Sequence, residues 1–402
     1  MRPLALALLA AAALALPAGG VSGGTPGITA KEILLGGTVP LSGPASPFGT
    51  VGPGANAYFK YVNAHGGVNG RKIRYLYRDD GYDPSRTVDK TRELVQQDKV
   101  FAIFNTVGTE HNVAIRGYLN AAKVPQVFGG TGASVIGRGH ARYPWTIGYL
   151  PSFEGEGRIY GRYVVAHRPK ARIAVLYEDS DYGKDLVRGL QRGLGKHARQ
   201  IVAKASYEVT DTDVNSQIAK LRRSKADTFM LFALPQQAIQ SFVYAYKLKW
   251  HPQIFVSAVS IEPTVMGIAR LGTNGKETGG ALSVSFTKDP TSPAWAKDKA
   301  VALYRKIMKR YFPAGKPSDV YNFYGMAVAY SMVDALKHAG RAPTRESLLR
   351  AMTHMKERNN PFLLPGVGVS TSPTNYFPIT KARLVRYVKT RWVLFGPLET
   401  AR

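Results

Sequence analysis

The chain contains no cysteine. That absence excludes disulfides, thiolate nucleophiles, cysteine metal ligands and the lipid-carrying cysteine of a bacterial lipoprotein. Long apolar runs are nearly missing too. The one present, Leu4 to Leu16, is shorter than the roughly 20 residues that span a bilayer. It follows Arg2 and ends at Pro17, Ala18, Gly19 and Gly20, so residues 1–20 read as a cleaved secretory signal peptide. The mature chain is expected to be soluble and periplasmic, and it is long enough for two packed domains.

Acidic residues are scarce, 27 against 54 Lys plus Arg, for a formal charge of +27. The basic residues are scattered, with no group denser than "LRRSK" or "KTR" and no arginine–aromatic cluster. A generally basic surface with a bias towards anionic ligands follows, and no nucleic-acid partner is expected. The nucleophile elbow GxSxG, the P-loop GxxxxGK[ST], a strand-following GxGxxG and the zinc pair HExxH are all absent. No catalytic residue, metal or cofactor is therefore expected. The adjacent Asp79 and Asp80 lack a third ligand in their loop and read as a polar strand end.

What is present is a repeating unit of strand, loop and helix. Ile33 to Gly37 reads as a buried strand, the loop "TVPLSGPASPFGTVGPG" follows, and Ala55 to His65 has helical spacing. "RKIRYLYRDD" is a second strand; Asp83 then supplies an N-cap and Pro84 a first helical residue. The unit recurs at Val100–Phe104 with a helix to Ala122, and at Val124–Phe128 with a short helix from Ser134. It restarts after "YPWTIGYLPSFEGEG" with "RIAVLYEDSDYGKDLVRGL", "ADTFMLFALPQQAIQSFVYAY" and "PQIFVSAVS". A strand at Gly279–Phe286, helices at 294–311 and 319–339 and a terminal hairpin in "ARLVRYVKTRWVLFG" complete the reading. This is an α/β chain of two doubly wound parallel-sheet lobes.

Ligands of such sheets bind in the loops beyond the strands' carboxyl ends. Two of these loops, "NTVGTEHN" and "GGTGAS", combine glycine, threonine and a following helix whose first N–H groups attract an anion. Thr109, Gly130 and Thr131 are placed there, with helix capping as the alternative role for Thr109. Glu110 and His111 diverge by about 100° on a helix, so they cannot share one ligand, and both are expected in solvent. Tyr182, at the next helix start, offers an aromatic face and a hydroxyl. Phe48, Tyr149 and Phe153 add aromatics to loops, with packing as the alternative.

The segments "VPLSGPASPFG", "VNAHGGVNGRKI", "DDGYDPSRTVDKTRELVQQDKV", the "GT…GGTGAS" pair and "IAVLYEDSDYGKDLVRGLQRGL", in this order, resemble the periplasmic substrate-binding proteins of the branched-chain amino acid type of ABC transporter, the leucine-binding protein family. The resemblance covers essentially the whole mature chain. It implies a type I periplasmic binding protein with three crossovers, divided as 28–147 with 283–360 and 148–282 with 361–402. It also implies a monomer that closes on a ligand and docks on a membrane permease, without catalysis or metal. By position, Thr109 matches a carboxylate-binding Ser/Thr, Gly130 and Thr131 the second carboxylate loop, Phe48 a cleft aromatic and Tyr182 the tyrosine of the second lobe.

Two positions depart from the pattern. Val259 stands where amino-acid binders of the family place an acid for the ammonium, with Glu262 as the nearby substitute; Leu234 and Pro235 stand where a tyrosine is usual. An unpartnered ammonium in a closed cleft forfeits about a hundredfold in affinity. The expected ligand is thus a small carboxylate-bearing molecule, a branched-chain or other amino acid, with an amine-free aromatic carboxylate as the alternative. A sensory subunit and an exported amide hydrolase are the remaining readings.

Overall fold

The computed structural model describes residues 24–402, and the expected signal peptide at residues 1–20 lies outside the described residues. Strand and helix alternate as β1 (Glu32–Val39), α1 (Val51–Ala64), β2 (Lys72–Asp79), α2 (Pro84–Arg92), β3 (Ala102–Phe104), α3 (Thr109–Ala121), β4 (Gln126–Gly129), α4 (Ser134–Gly137) and β5 (Thr146–Gly148). A second series runs α5 (Phe153–His167), β6 (Ile173–Glu178), α6 (Asp181–Leu194), β7 (Ile201–Tyr207), α7 (Asn215–Arg223), β8 (Thr228–Phe232), α8 (Pro235–Lys247), β9 (Gln253–Val256), α9 (Pro263–Gly272) and β10 (Leu282–Ser285). Then come α10 (Lys299–Tyr311), α11 (Val320–His338), α12 (Arg345–Met352), the short pair β11 (Lys356–Glu357) and β12 (Val369–Ser370), and the hairpin β13 (Lys381–Val388) with β14 (Arg391–Thr400).

The first five strands form one parallel sheet in the order β2-β1-β3-β4-β5. The second sheet runs β14-β13-β10-β9-β8-β6-β7, parallel from β10 to β7, with the terminal hairpin added antiparallel at one edge. Helices cover both faces, so Leu35, Phe104 and Val127 in one sheet and Val175, Phe229 and Leu231 in the other are fully buried. This explains why the strands read as continuous apolar runs rather than alternating ones.

The chain passes between lobes three times: after β5, after β10 and between β12 and β13. The second and third passages lie later than the sequence suggests. β10 pairs into the second sheet through Ser285, and Phe362, Leu363, Val367 and Ile379 pack in the first lobe's core. The division at 360/361 is corrected accordingly: an apolar stretch fills the first core before the alternating hairpin begins. Likewise α10 starts at Lys299 rather than 294, because the Asp298 carboxylate accepts from Ala300 N and Val301 N at 2.9 and 3.1 Å and caps it there.

Candidate interlobe binding cleft

The strand order of the first sheet reverses between β1 and β3, and that of the second between β6 and β8. Loops leaving such switch points form the crevice of an open α/β sheet. Here the two crevices face each other across one cavity of about 1070 Å³, its mouth included. Phe48 beyond β1, Thr109 beyond β3, Gly130 beyond β4, Tyr182 beyond β6, Leu234 beyond β8 and Val259 beyond β9 all line it.

One end of the cavity is polar. Thr109 is the first residue of α3, and its Oγ1 lies 2.8 Å from Thr131 Oγ1. Thr131 does not line the cavity: it is buried behind Thr109, and its hydroxyl accepts from Ala133 N at 3.1 Å. The loops are tied by Gly130 N donating to Thr106 O at 2.8 Å and Gly108 N donating to Gly130 O at 3.3 Å. Gly108 has φ of +109°, and a Cβ there would lie 2.3 Å from His111 Nδ1, so only glycine fits. The first N–H groups of α3 therefore point towards the Thr109 end.

The walls are apolar and aromatic. Phe48 meets the edge of Tyr321 at 5.1 Å between centroids, and Phe153 that of Tyr182 at 4.9 Å. Phe153 is the first residue of α5 and Tyr182 the second of α6, and these helices pack almost backbone to backbone. A Cβ on Gly157 would come within 2.2 Å of Leu186 O, and one on Gly189 within 2.1 Å of Glu154 O. Glu156, in the first turn of α5, also lines the cavity. Tyr82, Glu156, Phe286, Tyr321 and Tyr324 are lining residues that the sequence reading missed. Tyr82 follows Gly81 in a turn, the one local signal of the five; Tyr321 and Tyr324 are hidden in the apolar pattern of α11.

Four expectations are corrected. Tyr149 lies wholly in the first lobe's core, its hydroxyl donating to Ala327 O at 3.1 Å and bonded to Ser331 Oγ at 2.9 Å, so it does not face the cleft. Glu262 is the N-cap of α9, accepting from Thr264 N at 2.6 Å and Val265 N at 3.0 Å, and does not line the cavity. His111 is buried rather than solvated, its ring 4.2 Å from that of Tyr82, and burial lowers its pKa. Its neighbour Glu110 reaches the other lobe and accepts from Asp181 N at 3.2 Å. The divergence of the two side chains holds, but each meets protein.

Further bonds draw the lobes together. Asp185 of α6 accepts from Ser134 N at 2.6 Å and Ser134 Oγ at 2.8 Å, at the start of α4. Arg138 pairs with Glu154, and Tyr321 Oη donates to Val259 O at 2.8 Å. Among the described residues, no three side chains are grouped as a metal site requires, and no helix is long and apolar enough to cross a membrane.

A family model described as periplasmic binding protein matches residues 32–391. A Leu/Ile/Val-binding protein homologue of Brucella suis is 24% identical over 326 residues, 78% of this chain and 81% of that one. Among solved structures, a branched-chain amino acid ABC transporter protein of Thermus thermophilus with bound valine superposes with a TM-score of 0.81 at 17% identity, over 92% of this chain and 97% of that one. A solute-binding protein of an ABC transporter from R. palustris in complex with benzoate gives 0.75 at 18%, over 92% and 96%. With two lobes, three crossovers and a cleft at paired switch points, the chain belongs to the periplasmic binding protein family.

Proposed function

We propose that this protein is the periplasmic solute receptor of an ABC importer, capturing a small apolar carboxylate between its lobes and presenting the closed form to a membrane permease. The observation that carries this reading is the Thr109 hydroxyl at the start of α3, backed at 2.8 Å by the buried Thr131 hydroxyl and facing an otherwise largely apolar cavity. A carboxylate at that end takes the Thr109 hydroxyl and the first N–H groups of α3, with Thr131 orienting the hydroxyl from behind and Gly130 leaving room for the approach. Phe48, Tyr182, Leu234 and Val259 then enclose the apolar body.

Ligand contacts from both lobes favour the closed arrangement, and the equilibrium shifts only as far as the ligand prefers it. The permease, a monomeric state and a periplasmic location belong to this proposal. So does the ligand class: amino acids are the first reading, supported by the Leu/Ile/Val-binding relatives. Amine-free aromatic carboxylates are the second, supported by Val259 in the cleft, by Glu262 being engaged at its helix start, and by the benzoate complex of one structural neighbour.

The test is Thr109→Ala combined with Thr131→Ala. Titration calorimetry should show carboxylate affinity falling about tenfold or more while the fold, read by circular dichroism, is retained. Unchanged affinity would refute the assignment.

A further inference from the structure

Among the described residues Glu156 is the one acidic residue lining the cleft, and nothing in the carboxylate reading uses it. It sits on α5 in the second lobe, 4% exposed. Its two hydrogen bonds within the protein both fall on Oε1: Ala258 N donates at 2.9 Å and Tyr160 Oη at 2.9 Å. Those donors hold Oε1, no hydrogen bond from the described residues falls on Oε2, and the Ser257 hydroxyl beside the carboxyl is itself without a partner. No salt bridge reaches it among the described residues, in contrast to Glu154 one turn-edge away, which is paired with Arg138, Arg188 and Arg192. Burial pushes the Glu156 carboxyl up to about 7, and the Ala258 N–H and the Tyr160 and Ser257 hydroxyls offset that only in part. A buried acid in a ligand cavity, held by two donors and lacking a cation, is an acceptor short of a partner.

Resting on the proposed carboxylate cleft, we propose that Glu156 is its specificity-determining residue, selecting carboxylates that also carry an N–H or O–H donor directed at the second lobe. The carboxylate docks at Thr109 and the donor at Glu156. A ligand with the same apolar body and no donor leaves the acid buried and unpaired, which weakens it. This also supplies a polar partner for an amine after Val259 and Glu262 are set aside, without limiting the donor to an amine.

Three ligands of one skeleton test it: 3-phenylpropanoate, with no donor; phenylalanine, with an ammonium; and 3-(4-hydroxyphenyl)propanoate, with a phenol. Affinities are measured by titration calorimetry on the mature wild type, Glu156→Gln and Glu156→Leu. In the wild type at least one donor-bearing ligand should bind about tenfold or more tighter than 3-phenylpropanoate. Glu156→Leu should abolish that advantage while leaving 3-phenylpropanoate bound, which also reports an intact fold. Glu156→Gln keeps an acceptor and the Ala258 bond but no charge, so it retains a preference for the phenol and loses one for the ammonium, telling the two donors apart.

Equal wild-type affinity for all three, or equal weakening of all three in both variants, overturns the role of Glu156 and leaves the carboxylate site standing. Binding of none of them by the wild type, while leucine or benzoate binds, overturns this inference and leaves the carboxylate site standing; binding of none of the five acids overturns both.

Discussion

Tyr321→Phe isolates one bond of the closed arrangement. Tyr321 belongs to the first lobe's α11, and its hydroxyl donates at 2.8 Å to the Val259 carbonyl of the second lobe. The substitution deletes that bond and keeps the ring, so the edge contact with Phe48 at 5.1 Å survives. A neutral hydrogen bond of this kind is worth about 0.5–1.5 kcal/mol net. Since the bond exists only when the lobes meet, the loss falls on closure, and ligand affinity should weaken about two- to tenfold. Ser134→Ala makes a stronger comparison. It removes the 2.8 Å hydroxyl bond to the buried Asp185 carboxylate but keeps the backbone bond at 2.6 Å, and a bond to a charged group is worth about 1.5–3 kcal/mol. The two sites share no partner, so the double variant should show the sum of the two effects. Calorimetric titration of the four proteins with phenylalanine and 3-phenylpropanoate supplies the affinities. Small-angle scattering should show the variants more open at equal ligand concentration. Affinity and scattering that match the wild type in Tyr321→Phe and Ser134→Ala alike would refute the argument that these bonds hold the lobes closed.

Glu357 predicts a pH effect on stability. It is buried in the first lobe with Ser331 Oγ and Asn360 Nδ2 donating to its Oε1, each at 2.9 Å, and burial pushes its carboxyl from 4.5 up to about 7. A raised acid binds its proton more tightly folded than unfolded, so its contribution is fullest below about pH 4.5 and declines as pH rises to about 7, by about 3 kcal/mol at most. Thermal melts between those limits should show Glu357→Gln flattening the decline, and an identical slope in the variant would contradict the assignment. Gly108→Ala places a Cβ at φ +109° against His111. It should cost about 1–3 kcal/mol in denaturant unfolding and weaken carboxylate binding together with it; a neutral effect on both would mean the loop adapts.

The parallel lobes were legible because buried strands read as apolar runs, and the loops after β1, β3, β4 and β6 because ligands of such sheets bind beyond the strands' carboxyl ends; Leu234 and Val259, after β8 and β9, followed from the family resemblance. Six of the nine candidate residues line the cavity. Thr131 sits one layer behind, which no local pattern distinguishes from the front layer. Tyr149 was misplaced because an aromatic just past a strand faces either core or cleft depending on the strand's pleat and its neighbours, here Phe128 and Ser331. Glu262 looked like a ligand acid, yet a carboxylate two residues before Thr264 meets the unpaired N–H groups of its own helix first. Glu156 carries no local signal because its place in the cavity is set by contacts distant in the chain, such as the bond from Ala258 N, a tertiary fact.

The central claim, a carboxylate held in this cleft, is tested most directly by the melting temperature of the purified protein with leucine, phenylalanine, benzoate and 3-phenylpropanoate, each beside its own amide. A ligand at about a hundred times its dissociation constant adds about 2.7 kcal/mol, which raises the midpoint of a chain this size by about 3 °C. The account predicts such a rise with at least one acid and little or none with its amide. No rise with any acid, or an equal rise with acid and amide, would contradict it.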